Sequence, residues 1–347
     1  MATTYNGQLT ANKIMSSIFN MIINQYVEPH VVDGGLYREF KDAAVDEAGL
    51  YGDTKLFYFC QALKSYAWDY TDTNVLARNL PADPFCQKLV IDTYRQCAIT
   101  LDSYLSKNAW SDEGSFSKFH GVMLGQLSAT KDIEETGIVN VFIGTTSTNA
   151  NEQSRTIDLK SEPSVGQGLA RFIADLEVEL KDLNRVNDLG YARAYNPSKI
   201  RVVINHKYAS QIKAVDIPAM YNKEFIETTL SKAKVLPAKY FGTVNTGTKT
   251  ADAKTRAVEE IDIGSDHYYP GDLIKAGSSV PAGKSYQEDD TVICKVMMDD
   301  SVKMLSAFSV STSFFNAKNL SENTYLTWGR SKPAYLLDRP FITVKAA

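Results

Sequence analysis

Two long stretches near the start of the chain decide the fold: GDTKLFYFCQALKSYAWDY at residues 52–70 and PFCQKLVIDTYRQCAITLDSY at residues 84–104. Both are rich in the β-branched and aromatic residues that strands favour, and both alternate as strands do. A turn-rich segment, TDTNVLARNLPADP, joins them. The pattern predicts a two-stranded ribbon with roughly 15 residues per strand, which would be about 50 Å long at the rise of a β-strand. Because a lone hairpin is marginal in water, this ribbon needs a partner surface.

Each predicted strand has a face of aromatic and aliphatic side chains that the ribbon alone cannot bury. These faces comprise Leu56, Tyr58, Cys60, Ala62, Tyr66 and Trp68 in the first strand and Leu89, Ile91, Cys97, Ile99 and Leu101 in the second. The whole chain has 19 Tyr and 15 Phe, which suit large contact surfaces as well as cores.

The composition is that of an ordinary globular chain and excludes several classes of function. The 347 residues are 44% hydrophobic and 22% charged, with a net charge of −4, so the chain has no overall basic character for binding nucleic acid. The apolar stretch IMSSIFNMIINQYV is interrupted by polar residues and is too short to span a bilayer, so no membrane anchor or secretion is predicted. The four cysteines show no metal-type spacing, and we predict reduced, buried thiols at Cys60, Cys86, Cys97 and Cys294.

Helical periodicity marks three further segments. Residues 10–27 predict an amphipathic helix, and a second, long helix is expected to begin near Ser111 or Asp112. The third follows Ser164-x-x-Gln167, which has the spacing of a capping box. Its predicted apolar face comprises Leu169, Phe172, Ile173, Leu176, Leu180 and Leu183.

Several apolar strands complete the pattern. IRVVIN is followed by a short helical segment, HKYASQIKA, and the later stretches TVICKVMM and KMLSAFSVSTSFF predict two more strands. The tail PAYLLDRPFITVKAA ends in another strand, so the C-terminus is expected to join a sheet. Helices feeding a mixed or antiparallel sheet place the chain in the α+β class.

No group of residues predicts a catalytic or metal site. The stretch AGSSVPAGKS lacks the glycine spacing of a phosphate loop and leads into a strand rather than a helix. His206, Asp216 and His267 are the only scattered candidates for a catalytic pocket. The acidic pairs Asp289-Asp290 and Asp299-Asp300 flank a strand, where solvated turns are the preferred interpretation over a cation site. We predict no enzyme activity, no cofactor and no metal.

The order of these features resembles the major capsid proteins of tailed bacteriophages, which have the Hong Kong 97-type fold. The terminal arm, the long hairpin, the helix opened by AWSDEGSF, the strand RVVIN with HKYASQI, and the closing stretch LTWGRSKPAYLLDRPFITV follow one another as in that family. The resemblance is architectural and covers nearly the whole chain. It implies an α+β fold with an N-terminal arm, an extended β-hairpin arm, a spine helix, and peripheral and axial domains.

The resemblance also implies boundaries. The N-terminal arm is expected at residues 1–36, and the extended hairpin arm with the start of the peripheral domain at 37–108. The spine helix is expected at 109–144, the axial domain at 145–304, and the return to the peripheral domain at 305–347.

The implied function is a major capsid protein that self-assembles, as hexamers and pentamers, into an icosahedral or prolate shell enclosing double-stranded DNA without sequence-specific contacts. The shell would be assembled in the host cytoplasm. No long scaffolding segment precedes the arm, so the expected scaffold is a separate protein, alongside a portal and decoration proteins. The side chains expected to contact neighbouring subunits are Tyr58, Tyr66, Trp68, Tyr94, Ile14, Ile18 and Ile22.

Two alternatives stay open from the sequence. An encapsulin-like compartment shell would have the same fold but enclose a cargo protein in place of DNA. The second alternative is a cytosolic enzyme with a dimerising β-arm. It stays open because one fold can carry many functions, so a resemblance in fold does not by itself establish the function.

Overall fold

The computed structural model describes residues 37–47, 54–68, 70–71, 78, 80–101, 113–146, 153–158, 165–211 and 233–347. These residues form the mixed α+β structure that the sequence predicts. The helix predicted at residues 10–27, with Ile14, Ile18 and Ile22, lies outside the described residues.

Four α-helices are described: α1 Glu39–Ala44, α2 Glu113–Thr145, α3 Val165–Lys181 and α4 His206–Gln211. The predicted beginning of the long helix near Asp112 is confirmed, and α3 begins directly after Ser164. Leu183 was expected on the apolar face of α3, which is wrong: the helix ends two residues earlier and Leu183 is 71% exposed. No described helix combines the length and the apolar content needed to cross a membrane.

The strands are mostly short, with three long exceptions. They are β1 Val45–Glu47, β2 Thr54–Phe59, β3 Phe85–Leu101, β4 Ser154–Ile157, β5 Ile200–Asn205, β6 Ala233–Leu236, β7 Gly242–Val244, β8 Lys249–Thr250, β9 Thr255–Ala257, β10 Ile261–Ile263, β11 Asp266–Tyr268, β12 Ser279–Val280, β13 Ser285–Glu288, β14 Val292–Met298, β15 Val302–Asn316, β16 Ser321–Ser331, β17 Ala334–Tyr335 and β18 Phe341–Ala346. The strands predicted from IRVVIN, TVICKVMM, KMLSAFSVSTSFF and the C-terminal tail are all present.

The described residues divide into two compact units. The smaller unit takes its described residues from Asp92–Glu135 and Ser306–Arg330. The larger unit takes its residues from Tyr37–Ile91, Thr136–Leu305 and Ser331–Ala347. The elements β3, α2, β15 and β16 therefore contribute residues to both units.

The larger unit is built on a five-stranded sheet in the order β4-β18-β14-β5-β6. Its central strand, β14, is antiparallel to both neighbours, and every residue of it is buried. A strand that is apolar throughout its length has to be covered on both faces. One face packs against α3 through Leu169, Ile173 and Leu176. The other packs against the end of α2 through Val139, Val141 and Ile143.

The chain between β6 and β14 forms a separate small β structure within the larger unit. Strands β7 to β13 pair as two-stranded and three-stranded antiparallel sheets. Ala251, Ala257, Tyr268, Ile274 and Val280 form the core of this part.

The smaller unit combines the second half of β3, the first part of α2 and the β15–β16 hairpin. Its fully buried Glu134 accepts hydrogen bonds from Trp328 Nε1 at 3.1 Å and from Arg330 Nη2 at 2.6 Å. Arg95 Nε lies 3.6 Å from the same carboxylate. Removing one partner of such a buried ion pair typically costs about 3–5 kcal/mol because the remaining charge has no compensation.

The predicted length of the two-stranded ribbon is wrong. β2 pairs with β3 only from Thr54↔Val90 to Phe59↔Phe85, and residues 60–68 form no strand. Residues 92–101 of β3 instead lie beside β16, where Gln96 Nε2 donates to Thr327 Oγ1 at 2.9 Å and Thr100 Oγ1 to Asn323 Oδ1 at 2.7 Å. The alternating pattern identified β3 correctly, but alternation does not specify which strand is the partner.

A buried lysine joins the end of α2 to the central strand of the larger unit. Lys295 in β14 is 2% exposed, and its Nζ donates to the Thr146 carbonyl at 2.6 Å and to Thr343 Oγ1 at 2.8 Å. Burial, reinforced by the nearby charge of Lys345, lowers the pKa of Lys295 to about 7. The lysine thus caps a carbonyl that directly follows the last residue of α2.

We predict that Lys295 makes the stability of the unassembled subunit rise with pH. Its pKa is near 10.4 in the unfolded chain, so above pH 7 the unfolded state binds more protons than the folded state. The free energy of unfolding of the native protein, relative to Lys295→Met, should increase by about 1 kcal/mol per pH unit between pH 7 and 8.5. Cys294, whose pKa burial raises to about 12, has the opposite pH dependence, but it is present in both proteins and so does not enter the difference. Urea denaturation at a series of pH values measures the difference, and parallel curves would contradict the prediction.

Two glycines of α2 provide a matched pair for testing the packing of the helix. A Cβ at Gly144 would overlap the carbonyl oxygen of Tyr240, whereas a Cβ at Gly125 meets nothing within 4 Å. We expect Gly144→Ala to lower the free energy of unfolding by about 2 kcal/mol or more, because backbone has to shift. Gly125→Ala should raise it by about 0.5–1 kcal/mol, because alanine favours a helix. Thermal denaturation of both variants measures the effects, and equal effects would refute the proposed close approach.

Candidate assembly surface

The segment that follows β2 is the most exposed apolar part of the described chain. Tyr66 and Trp68 are 83% and 89% exposed, and Leu63 and Tyr70 are comparably open. Every residue from 60 to 68 is exposed. We call residues 60–84 the arm, of which 60–68, 70–71, 78 and 80–84 are described. An exposed apolar series of this kind is typical of surfaces that bind another molecule.

Tyr58 lies next to the arm, in β2, and is 61% exposed. On this strand Lys55 forms an ion pair with Asp46 at 2.7 Å and lies over the ring of Phe57. Burial opposes the ionisation of Asp46, but the hydrogen bond from Lys55 and the charge of Lys303 outweigh it and lower the pKa of Asp46. An ion pair therefore joins β2, the strand that leads to the arm, to β1, and Tyr58 on β2 remains exposed.

Tyr94 belongs to an exposed face of the smaller unit. It is 60% exposed and stacks on Phe308 with 6.1 Å between ring centroids, where Gly329 leaves room for both rings. Phe314 on the same hairpin is 64% exposed, and all residues from 308 to 316 are exposed. The four aromatic residues predicted to contact neighbours are thus at the surface, three of them in or beside the arm and Tyr94 in the smaller unit. Ile14, Ile18 and Ile22 lie outside the described residues.

Two of the thiols also lie at the arm. All four cysteines are free, and Cys294 is buried as expected, but Cys60 and Cys86 are exposed. The expectation of buried thiols is wrong for these two residues and is not met at Cys97, which is half-buried. Cys60 and Cys86 lie at the end of the β2–β3 ladder, where the arm begins and ends.

The residues considered for catalysis have separate environments. His206 contacts Ser210, whereas His267 lies 2.6 Å from Asp262 and 3.0 Å from Glu260 on the small β structure. Asp216 is outside the described residues. A cleft of about 580 Å³ in the larger unit is lined by Phe40, Ile143 and Met297 and by two ion pairs, and neither histidine lines it.

The acidic pairs beside β14 bind cationic side chains. Asp289 contacts Lys345 at 3.1 Å and Asp290 contacts Lys254 at 2.9 Å. Asp299 pairs with Arg201 and Asp300 with Arg339. Within the part of the chain that the structure describes, no group of three or more His, Cys, Asp or Glu residues could hold a metal ion.

No protein-family model and no curated protein sequence matches this chain. Solved structures do match it over nearly its whole length. A capsid structure of Staphylococcus phage Andhra aligns with a TM-score of 0.65 and 13% identity, covering 99% of this chain and 95% of that chain.

Two other phage structures give the same result. A chain from the structure of head fiber and inner core protein gp22 of native bacteriophage P68 aligns with a TM-score of 0.60 and 10% identity, covering 99% and 92% of the two chains. The capsid structure of the cyanophage P-SCSP1u aligns with a TM-score of 0.55 and 10% identity, covering 94% and 93%. The protein therefore has the α+β fold of phage capsid chains that its sequence resembles.

Proposed function

We propose that this protein is the major capsid protein of a tailed bacteriophage. Its copies would assemble as hexamers and pentamers into an icosahedral or prolate shell around double-stranded DNA. The observation that carries the proposal is the match to phage capsid chains over nearly the full length of both molecules. The exposed arm supplies a physical reason for assembly, because its aromatic side chains are left open by the residues that the structure describes.

The proposal extends to domains and partners. Residues 1–36 form the N-terminal arm, 37–108 the extended hairpin arm with the start of the peripheral domain, 109–144 the spine helix, 145–304 the axial domain and 305–347 the return to the peripheral domain. The protein acts structurally and not as an enzyme. A separate scaffolding protein, a portal and decoration proteins are its further partners, assembly takes place in the host cytoplasm, and the DNA is enclosed without sequence-specific contacts.

We predict that the purified protein, expressed with the scaffolding protein of the same genome, forms closed angular shells. Negative-stain microscopy and sedimentation velocity detect them. Monomers or dimers alone under these conditions would contradict the proposal. The nucleic acid content of particles from infected cells separates a genome-enclosing shell from a protein-filled compartment, which would contain cargo protein and no packaged DNA.

The arm should be required for assembly and dispensable for folding. Replacing both Tyr66 and Trp68 with serine removes two highly exposed aromatic rings that belong to none of the three described cores of the larger unit. We expect circular dichroism and the melting temperature to change little. Particle yield should fall at least tenfold, because central aromatic contacts at interfaces are typically worth about 2 kcal/mol or more each.

Val178→Ser is the matched control for the arm variant. Val178 is 71% exposed on α3, so the substitution removes an exposed apolar side chain outside the arm. Its particle yield should equal that of the native protein. Full yield from the Tyr66→Ser/Trp68→Ser variant would exclude the arm as a main contact.

A further inference from the structure

Both ends of the arm are held at one place on the larger unit. The outgoing chain leaves β2 at Phe59, and the returning chain enters β3 at Phe85, directly opposite in the ladder. Near Phe85, the side chain of Gln87 bonds to the backbone of residues 335 and 337. Directly after Phe59, the carbonyl of Cys60 accepts a hydrogen bond from Arg193. These contacts involve Gln87 and Arg193.

Gln87 attaches the returning strand. Its side-chain Nε2 donates to the Tyr335 carbonyl at 2.9 Å, and its Oε1 accepts from the Leu337 backbone N–H at 3.1 Å. One amide side chain thus completes two backbone hydrogen bonds of a segment 248 residues away in the sequence. The paired donor and acceptor fix the position of the Gln87 side chain along that segment.

Arg193 attaches the outgoing chain. Its Nη2 donates to the carbonyl of Cys60, the first residue of the arm, at 2.6 Å. Its Nε donates to Asp338 Oδ1 at 2.9 Å. Because the guanidinium is planar, the carboxylate that holds one edge orients the other edge towards the Cys60 carbonyl.

The loop that carries Arg193 is held rigidly by its own hydrogen bonds. The backbones of Asn184 and Arg193 exchange two bonds of 2.8 Å. The buried side chain of Asn187 donates to the Tyr191 carbonyl and to Tyr195 Oη and accepts from the Tyr191 N–H. Tyr195 Oη in turn donates to the Asp338 carbonyl at 3.0 Å. These hydrogen bonds therefore fix the position of the backbone that carries the Arg193 guanidinium.

We propose that Arg193 and Gln87 are positioning residues for assembly, which set the direction in which the arm leaves the subunit. This inference rests on the proposed function. Residues 60–68 would reach about 30 Å if fully extended, so a rotation of about 10° at the root moves their far end by about 5 Å. A displacement of that size removes an aromatic side chain from a contact made at 4.0–4.5 Å.

The direct test measures the direction of the arm. Spin labels are placed at Leu63→Cys in the arm and Val178→Cys on α3, both exposed, after Cys60, Cys86 and Cys97 are changed to serine and Cys294 to alanine. Double electron–electron resonance on the unassembled subunit should give a narrow distance distribution. We expect Arg193→Gln to broaden it at least twofold with an unchanged melting temperature, and to reduce shell yield at least fivefold. Arg193→Lys, which keeps a cationic donor, should recover part of both.

Arg155→Gln is the matched control, because Arg155 and Arg193 are each 28% exposed and each forms one ion pair in the larger unit. It should leave the distance distribution and the shell yield as in the native protein. A Gln87→Leu variant should repeat the effect of Arg193→Gln from the other end of the arm. Native distributions and yields in both Arg193→Gln and Gln87→Leu would overturn the inference. If the native protein forms no shells, the proposed function fails, while the distance distributions still decide whether these residues position the arm.

Discussion

The complete burial of β14 is the constraint on which the larger unit depends. A strand with no exposed residue needs sheet neighbours on both edges and a layer of side chains on both faces. β5 and β18 provide the edges, while α3 and the end of α2 provide the layers. The chain supplies these elements from positions far apart in the sequence. The C-terminal strand β18, for example, lies between β14 and β4, which begins at residue 154.

Two buried polar side chains, Lys295 and Glu134, hold the long helix α2. In the larger unit Lys295 donates to the carbonyl that follows the helix, and Thr343 on the neighbouring strand receives its second hydrogen bond. In the smaller unit Glu134 accepts from Trp328 and Arg330 on β16. A buried polar group is costly unless it is hydrogen-bonded, so each contact fixes a position at or beside the helix more narrowly than apolar packing would.

The arm differs from these buried parts of the structure because its apolar side chains are exposed. Its aromatic residues are those that normally form cores, yet they are exposed, and polar contacts at Gln87 and Arg193 hold its two ends. Exposing these aromatic rings to water is unfavourable for the single subunit. Covering the rings with another copy of the chain, as in the proposed assembly, would remove this cost.

The sequence by itself determined the elements whose signal is local. The capping-box spacing of Ser164-x-x-Gln167 and the stripe from Leu169 to Leu180 predicted α3, and the largely apolar stretch from Val292 to Met298 predicted a buried strand, because periodicity and apolar content depend only on neighbouring residues. The sequence also predicted apolar faces that the ribbon alone cannot bury, and Tyr58, Tyr66 and Trp68 on these faces are exposed. Tertiary structure alone decided that β2 stops at Phe59 and that the second half of β3 pairs with β16. It also decided that Lys295 is buried and that Arg193 reaches Cys60. The contacts of β3 with β16, of Lys295 with Thr146 and of Arg193 with Cys60 each join residues more than one hundred positions apart. The alternation of a strand or the charge of a side chain carries no information about so distant a partner.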